Sequence, residues 1–187
     1  MTAPNIVFIL ADDLGWADLG VYGATDFKTP HLDRLAAQGV RFNQAYANSA
    51  VCSATRIALI TGRYQYRLRA GLEEPLARYG GQLGLQPEHP TLPSLLKKAG
   101  YDTALIGKWH LGQPPAYGPQ RSGYDYFFGN HHGAIDYFTH KPGVGEQFGR
   151  DLWQGSEPVE RSGYYTYILG DEATRYVQER KNIAKPF

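Results

Sequence analysis

The segment Asn5-Ile6-Val7-Phe8-Ile9-Leu10 is a continuous apolar run, rich in β-branched residues, that ends at Asp12-Asp13. A strand with this pattern has no polar face, so both of its faces need cover. That is the situation of a strand in a parallel sheet between helices. The pattern around it supports the same reading. Thr29-Pro30 opens a helix, with Thr29 as cap and Pro30 in the first turn; Leu32, Leu35 and Ala36 share one face, and Gly39 ends it. Val40 to Tyr46 alternates as a strand, and Ser53 to Thr61 reads as a helix with Ile57, Leu59 and Ile60 as its apolar positions. Thr91 opens another helix, faced by Leu92, Leu95, Leu96 and Ala99 and stopped by Gly100, before the short apolar strand Thr103 to Ile106. Asp171 to Asn182 is a last helix, and Ile183 to Phe187 reads as the start of a further strand. Arg63 to Pro90 and residues 112 to 165 are loop-rich. Strands alternating with helices predict an α/β fold with a mostly parallel sheet.

In such folds ligands gather beyond the carboxyl ends of the strands. Asp12-Asp13 follows the first strand, and Lys108 and His110 follow a later one, so these groups are expected at one edge. The 187 residues suffice for one domain with a real core. A net charge of +1 gives no electrostatic case for nucleic acid or an anionic membrane. No apolar run reaches membrane-spanning length. The single cysteine, Cys52, excludes a disulfide within the chain. No signal-peptide pattern precedes Asp12, which gives the expectation of a cytoplasmic address, or a periplasmic or secreted one if a leader has been removed. The 14 tyrosines fall largely after residue 64. They form a polar binding surface or pack beneath long loops, and packing is the expectation.

Three constellations carry chemistry. Asp12 and Asp13 are adjacent carboxylates that repel unless a cation lies between them, and hard ions such as Ca²⁺ or Mg²⁺ take such ligands; a solvated loop is the plainer alternative. Cys52 begins a helix, where backbone N–H groups favour an anion, and Arg56 lies about one turn on, with a guanidinium suited to two oxygens of a sulfate or phosphate. A lone cysteine is otherwise a small buried hydrophobe. In Gly107-Lys108-Trp109-His110-Leu111-Gly112, Lys108 and His110 occupy alternate positions and can converge, one a fixed charge and the other a proton carrier. A Trp-anchored loop is the plainer alternative here. A zinc site from His110, His131, His132 and Cys52 is a weaker reading, because its spacing fits no usual zinc pattern.

These residues resemble a known family. Asn5 to Gly15 resembles the opening of type I sulfatases, and Cys52-Ser53-Ala54-Thr55-Arg56 resembles their Cys-x-Pro/Ala-x-Arg signature. Thr61-Gly62-Arg63, Gly107 to Gly112 and Gly123-Tyr124-Asp125-Tyr126-Phe127-Phe128-Gly129 match in family order. The resemblance implies an alkaline-phosphatase-like fold and hydrolysis of sulfuric esters. It also implies that a maturation enzyme oxidises Cys52 to formylglycine, whose hydrate attacks sulfur and later expels sulfate. By position it makes Asp12, Asp13 and residue 52 ligands of Ca²⁺ or Mg²⁺. Arg56 would hold the hydrate, Lys108 would contact the sulfate, and His110 would hydrogen-bond the modified residue. The implied substrate is a small sulfate ester or a sulfated glycan.

There are departures: Ala54 stands for the commoner Pro, His132 for a Ser and Tyr167 for an Asp. Family members run to several hundred residues. Residues 1–187 are therefore expected to be the N-terminal part of a catalytic domain, ending before the second half of its active site. Such a fragment is expected to be inactive or incomplete, and to self-associate through exposed core surface. The alternatives are a phosphonate or phosphate ester hydrolase of the same superfamily and a non-catalytic remnant or binding module.

Overall fold

A computed structural model describes residues 3–72, 83–143 and 149–187. Its chain divides into two compact units, one formed by Met1–Val7 with Asn48–Phe187 and the other by Phe8–Ala47.

The larger unit contains the sheet. Strand β1 (Ala104–Lys108) pairs parallel with β2 (Tyr126–Asn130), bringing Lys108 opposite Asn130. Two short strands, β3 (Trp153–Gln154) and β4 (Glu157–Pro158), continue the sheet antiparallel, in the order β1-β2-β3-β4. The described sheet is thus mixed; β1 lies where the sequence predicts a strand, whereas β2, β3 and β4 fall within residues 112 to 165, which read as loop-rich. Gly107 and Gly129 face each other across that pair at φ 131° and 152°. A Cβ on Gly129 would lie 1.9 Å from the Gly107 carbonyl oxygen, so only glycine lets the two strands approach this closely.

Around the sheet lie helix α2 (Cys52–Thr61), the short α3 (Arg69–Leu72), α4 (Leu92–Lys98) and α5 (Tyr165–Arg180). Helix α2 buries Ile57 and Ile60 against Leu68, Leu85, Trp109, Leu111 and Phe127, with Leu59 packed partly against them. A second cluster joins Phe128, Leu152 and Tyr165 of α5. Thr91 caps α4, accepting from Ser94 N at 3.2 Å while its own N–H donates to Ser94 Oγ at 2.9 Å. The face expected to bury α4 is not covered, since Leu92 and Leu95 are about half exposed. Helix α5 begins at Tyr165 rather than Asp171; in the added turns Ile168 and Leu169 pack, with Tyr165, on the second cluster.

Helix α1 (Pro30–Gln38), with Pro30 in its first turn, belongs to the Phe8–Ala47 unit. Thr29 does not cap it; its hydroxyl accepts from Gly20 N at 2.8 Å and donates to Asp33 Oδ1 at 3.0 Å.

Three expected strands are absent. Asn5 to Leu10 forms none, and Val7 and Ile9 are 65% and 75% exposed. Among the described residues it makes an isolated backbone bond, Ile6 N to the Phe187 carbonyl at 2.7 Å, and a strand cannot persist without a neighbouring ladder. Val40 to Tyr46 is also irregular. Its polar links are from Arg41 to the Val21 carbonyl and from the Tyr22 hydroxyl to the Phe42 carbonyl, rather than a ladder. Ile183 to Phe187 is likewise not a strand, but Asp102 N donates to the Pro186 carbonyl at 2.8 Å and Phe187 N to Asn5 Oδ1 at 3.2 Å. Among the described residues no helix is long and apolar enough to cross a membrane.

Candidate active site

Cys52 is the first residue of α2, behind an extended Val51. Residues in a first helical turn leave backbone N–H groups without intrahelical partners, and these favour negative charge. The side chain is partly buried, and Sγ lies 3.2 Å from His110 Nδ1. One turn on, Arg56 Nη1 donates to the Lys108 carbonyl at 2.7 Å, tying α2 to the carboxyl end of β1. The structure thus brings together Cys52, Arg56, Lys108 and His110 from two motifs more than fifty residues apart.

The placement of His110 has identifiable causes. Trp109 is 2% exposed; its indole N–H donates to the Tyr117 carbonyl at 2.8 Å, and its ring meets Tyr124 edge-on. The tryptophan anchor and the approach of His110 to Cys52 therefore occur in one arrangement. Beyond β1 the backbone stays beside β2, with Trp109 N donating to the Asn130 carbonyl and His110 N to the His131 carbonyl. His110 then turns at φ 56°, a left-handed conformation that costs a non-glycine residue free energy and that clusters at functional sites. Gly133 closes the far side. A Cβ there would stand 2.5 Å from His110 Cε1 and 2.6 Å from Nε2, so the ring rests on bare backbone.

The Arg56 charge is felt at two phenols, Tyr124 partly buried and Tyr165 buried. Burial pushes Tyr124 up to about 12 although Arg56 opposes the shift. Burial and then the charge of Asp151 push Tyr165 up as well, again against Arg56.

A second, denser polar cluster adjoins the ends of β1 and β2, and sequence reasoning did not find it. Asp151, 2% exposed, accepts from the backbone N–H of His131 and His132, from Trp153 Nε1 at 2.9 Å, and meets His132 Nδ1 at 2.9 Å. Burial raises the Asp151 carboxyl, but these donors outweigh it and hold it below the usual carboxylate range. His131 is buried between the rings of Phe127 and Trp153, and its nitrogens make no hydrogen bond among the described residues. Burial pulls it down to about 4, with Asp151 opposing the shift and His132 adding to it, so it is neutral at pH 7. Asn130 ties this loop to α5, donating to the His132 carbonyl and accepting from Tyr165 Oη at 2.6 Å. Asp151 sits in an irregular, aromatic-rich stretch with no period or spacing to flag it; the adjacent His131-His132 pair was the only signal.

Asp12 and Asp13 lie in the Phe8–Ala47 unit, where both are exposed and Asp13 has φ 58°. Among the described residues no three His, Cys, Asp or Glu side chains are grouped to hold a metal ion, which applies to the zinc reading as well.

The sulfatase family profile matches residues 4–187. N-acetylgalactosamine-6-sulfatase of Rattus norvegicus is 45% identical over 141 residues, which cover 71% of this chain and 27% of that protein. Arylsulfatase J of Mus musculus is 41% identical over 190 residues, covering 98% of this chain and 31% of that protein. The solved structure of Ps i-CgsB superposes with a TM-score of 0.89 at 33% identity, covering 98% of this chain and 43% of that one; it is also known in complex with k-i-k-neocarrahexaose. The chain belongs to the sulfatase family, and its α/β fold is the alkaline-phosphatase-like fold of sulfatases. It spans less than half the length of each of these relatives.

Proposed function

We propose that this chain carries the nucleophile side of a sulfate-ester hydrolase site that acts on a sulfated sugar. The carrying observation is Cys52 at the start of α2 with its sulfur 3.2 Å from His110 Nδ1. The sulfated-sugar reading is supported by the named relatives, which are sulfatases, and for that reason the phosphonate or phosphate alternative is not favoured.

Formylglycine at residue 52 would supply, as its hydrate, the hydroxyl that attacks sulfur and the second hydroxyl whose deprotonation expels sulfate. The fit of the residues present to that group is good: the side chain is only partly buried, stands at a helix N-terminus, and has an imidazole nitrogen within hydrogen-bonding distance. In this reading His110 holds and returns a proton at the side-chain atom of residue 52. The first-turn N–H groups of α2 orient anionic oxygens. Lys108 supplies a positive charge to the same oxygens, and Arg56 fixes the backbone that carries it, in reach of residue 52 as well. Asp12 and Asp13 suit a hard cation chemically, Ca²⁺ or Mg²⁺. The described residues assemble no complete ligand set, so no step is routed through a metal.

The test is modification followed by turnover. After co-expression with a maturation enzyme that accepts Ala54, mass spectrometry of the peptide spanning Cys52 should show the aldehyde or its hydrate. Uniformly intact thiol counts against the reading.

A further inference from the structure

Four aromatic rings stand together at the surface of the larger unit. Tyr164 lies at their centre, 5.2 Å from Tyr137, 5.4 Å from Phe138 and 5.3 Å from Tyr167 between ring centroids. Tyr137, Phe138 and Tyr167 are 52%, 69% and 72% exposed. Packing beneath loops, the sequence expectation for the tyrosines, holds for Tyr124, Tyr165 and Tyr176 but not for these. Exposed rings in a contiguous group mark a surface that meets a ligand or partner.

The platform is also held rigid. The Asp136 carboxylate accepts from Phe138 N at 3.0 Å, Thr139 N at 2.7 Å and Thr139 Oγ1 at 2.8 Å, and these bonds keep it below the usual carboxylate range. Tyr165 N donates to the Tyr137 carbonyl at 2.8 Å, and His140 Nε2 lies 3.2 Å from the Gly163 carbonyl. The two ring-bearing segments are therefore joined at both ends, which lowers the entropy lost on binding.

Phe138 also lines a cleft of about 270 Å³ whose other walls include His140, Arg150, Arg161 and Ser162. Arg150 is paired with Glu160, while Arg161 reaches the Glu160 carbonyl and lies 6.0 Å from the Phe128 ring centroid. The cleft therefore has more positive than negative side chains, in guanidinium form, at the edge of an aromatic face. A sugar ring presents C–H groups to an aromatic face and hydroxyls to polar walls, and a sulfate on it takes two parallel N–H donors from an arginine.

We propose that this cleft and its aromatic rim are a subsite for a second, anionic sugar unit of a sulfated glycan, apart from the unit whose ester is cleaved. The proposal rests on the sulfated-sugar reading above and adds where the rest of the chain is gripped. The subsite is distinct from the Cys52–His110 site yet near it. The His140 ring lies 6.0 Å from the tilted Tyr165 ring, Tyr165 hydrogen-bonds Asn130, and the Asn130 carbonyl accepts from Trp109 N.

The test uses the 187-residue chain carrying Cys52→Ala, so that binding is read without turnover. The probes are a chondroitin-6-sulfate tetrasaccharide, its unsulfated counterpart and the monosaccharide N-acetylgalactosamine 6-sulfate, titrated calorimetrically. Tyr164→Ala and Arg161→Ala should each weaken the sulfated tetrasaccharide about tenfold, the loss of one aromatic or arginine anchor. Both should leave the monosaccharide unchanged, and the unsulfated tetrasaccharide should be insensitive to Arg161→Ala. Tetrasaccharide binding that survives both substitutions but is lost in Lys108→Ala overturns the subsite and leaves the ester-site reading standing. Absence of binding by every sulfated probe overturns both. A dimer in sedimentation velocity that Tyr164→Ala dissociates assigns the platform to a second copy and overturns the subsite. Should Tyr164→Ala fail to fold, Arg161→Ala and Tyr167→Ala, at exposed positions, decide the question.

Discussion

The Phe8–Ala47 unit and the body formed around Asn48–Phe187 come from equally legible stretches of sequence, yet they are built differently. In the body, α2, β1 and β2 bury Ile57, Trp109, Phe127 and Phe128 almost completely. In the Phe8–Ala47 unit no residue is buried, and Phe8, Ile9, Val40, Phe42 and Tyr46 each remain more than 60% exposed. Its order comes from polar links instead, through Asp33, Thr29, Arg41 and Tyr22. An apolar pattern states what a segment needs to bury; only a partner surface decides whether it does.

Hydrogen exchange should show the largest contrast. Amides of α2 and β1 are expected to open only with global unfolding, and those of Val40 to Tyr46 nearly freely, a difference of about 10³-fold or more in rate. Comparable protection in the two units would break the comparison. Core truncation comes next. Phe127→Ala, at a residue with no exposure, should cost about 3–5 kcal/mol in urea unfolding. Phe42→Ala, 67% exposed, should stay within about 0.5 kcal/mol.

Much of the body was legible because local signals and tertiary needs agree there. Thr91 caps where it should, Ile57 and Ile60 face inward, and Lys108 and His110 flank a buried Trp109. The unformed strands failed for a physical reason: Asn5 to Leu10 and Val40 to Tyr46 have strand composition, but a strand is defined by its neighbour. Isolated bonds from Ile6 to Phe187, from Phe187 to Asn5 and from Asp102 to Pro186 stand at the expected edge in place of a ladder. At the site, Cys52, Arg56 and His110 were readable because a helix start and a strand end fix their direction. Asp151 was not, because its partners are gathered by loop geometry.

His131 allows a sharper test of the body. Its folded pKa of about 4 lies below the ordinary 6.5, so between these values the unfolded chain binds a proton that the folded chain does not. Stability should be complete above pH 6.5 and fall toward pH 4, by about 3 kcal/mol at most for this one group. Asp151, held low, acts only below the ordinary carboxylate value of 3.8. His131→Leu should flatten the urea midpoint between pH 4 and 6.5; an unchanged slope would show that other groups set it. Gly133→Ala should cost about 1–3 kcal/mol through overpacking against His110, and the His110 imidazole resonances should move. An unmoved ring would mean that the loop yields instead.

The smallest expected effect compares two threonines that look alike in sequence. Thr91 and Thr29 each precede a helix with a proline in its first turn, and both were expected to cap. Thr91 does so, and its hydroxyl also donates to the Ser122 carbonyl at 2.5 Å from a site 1% exposed. Thr91→Ala removes a cap and leaves a buried carbonyl without its donor, a loss of about 1–2 kcal/mol. Thr29 spends its hydroxyl on Gly20 N and Asp33 instead, in partly exposed surroundings where water can replace it. Thr29→Ala should therefore cost about 0.5 kcal/mol or less in local stability and show itself chiefly as faster exchange at the Gly20 amide. If Thr29→Ala proves as costly as Thr91→Ala, the polar links of the Phe8–Ala47 unit hold it as firmly as apolar packing holds the body, and the contrast between the two units fails.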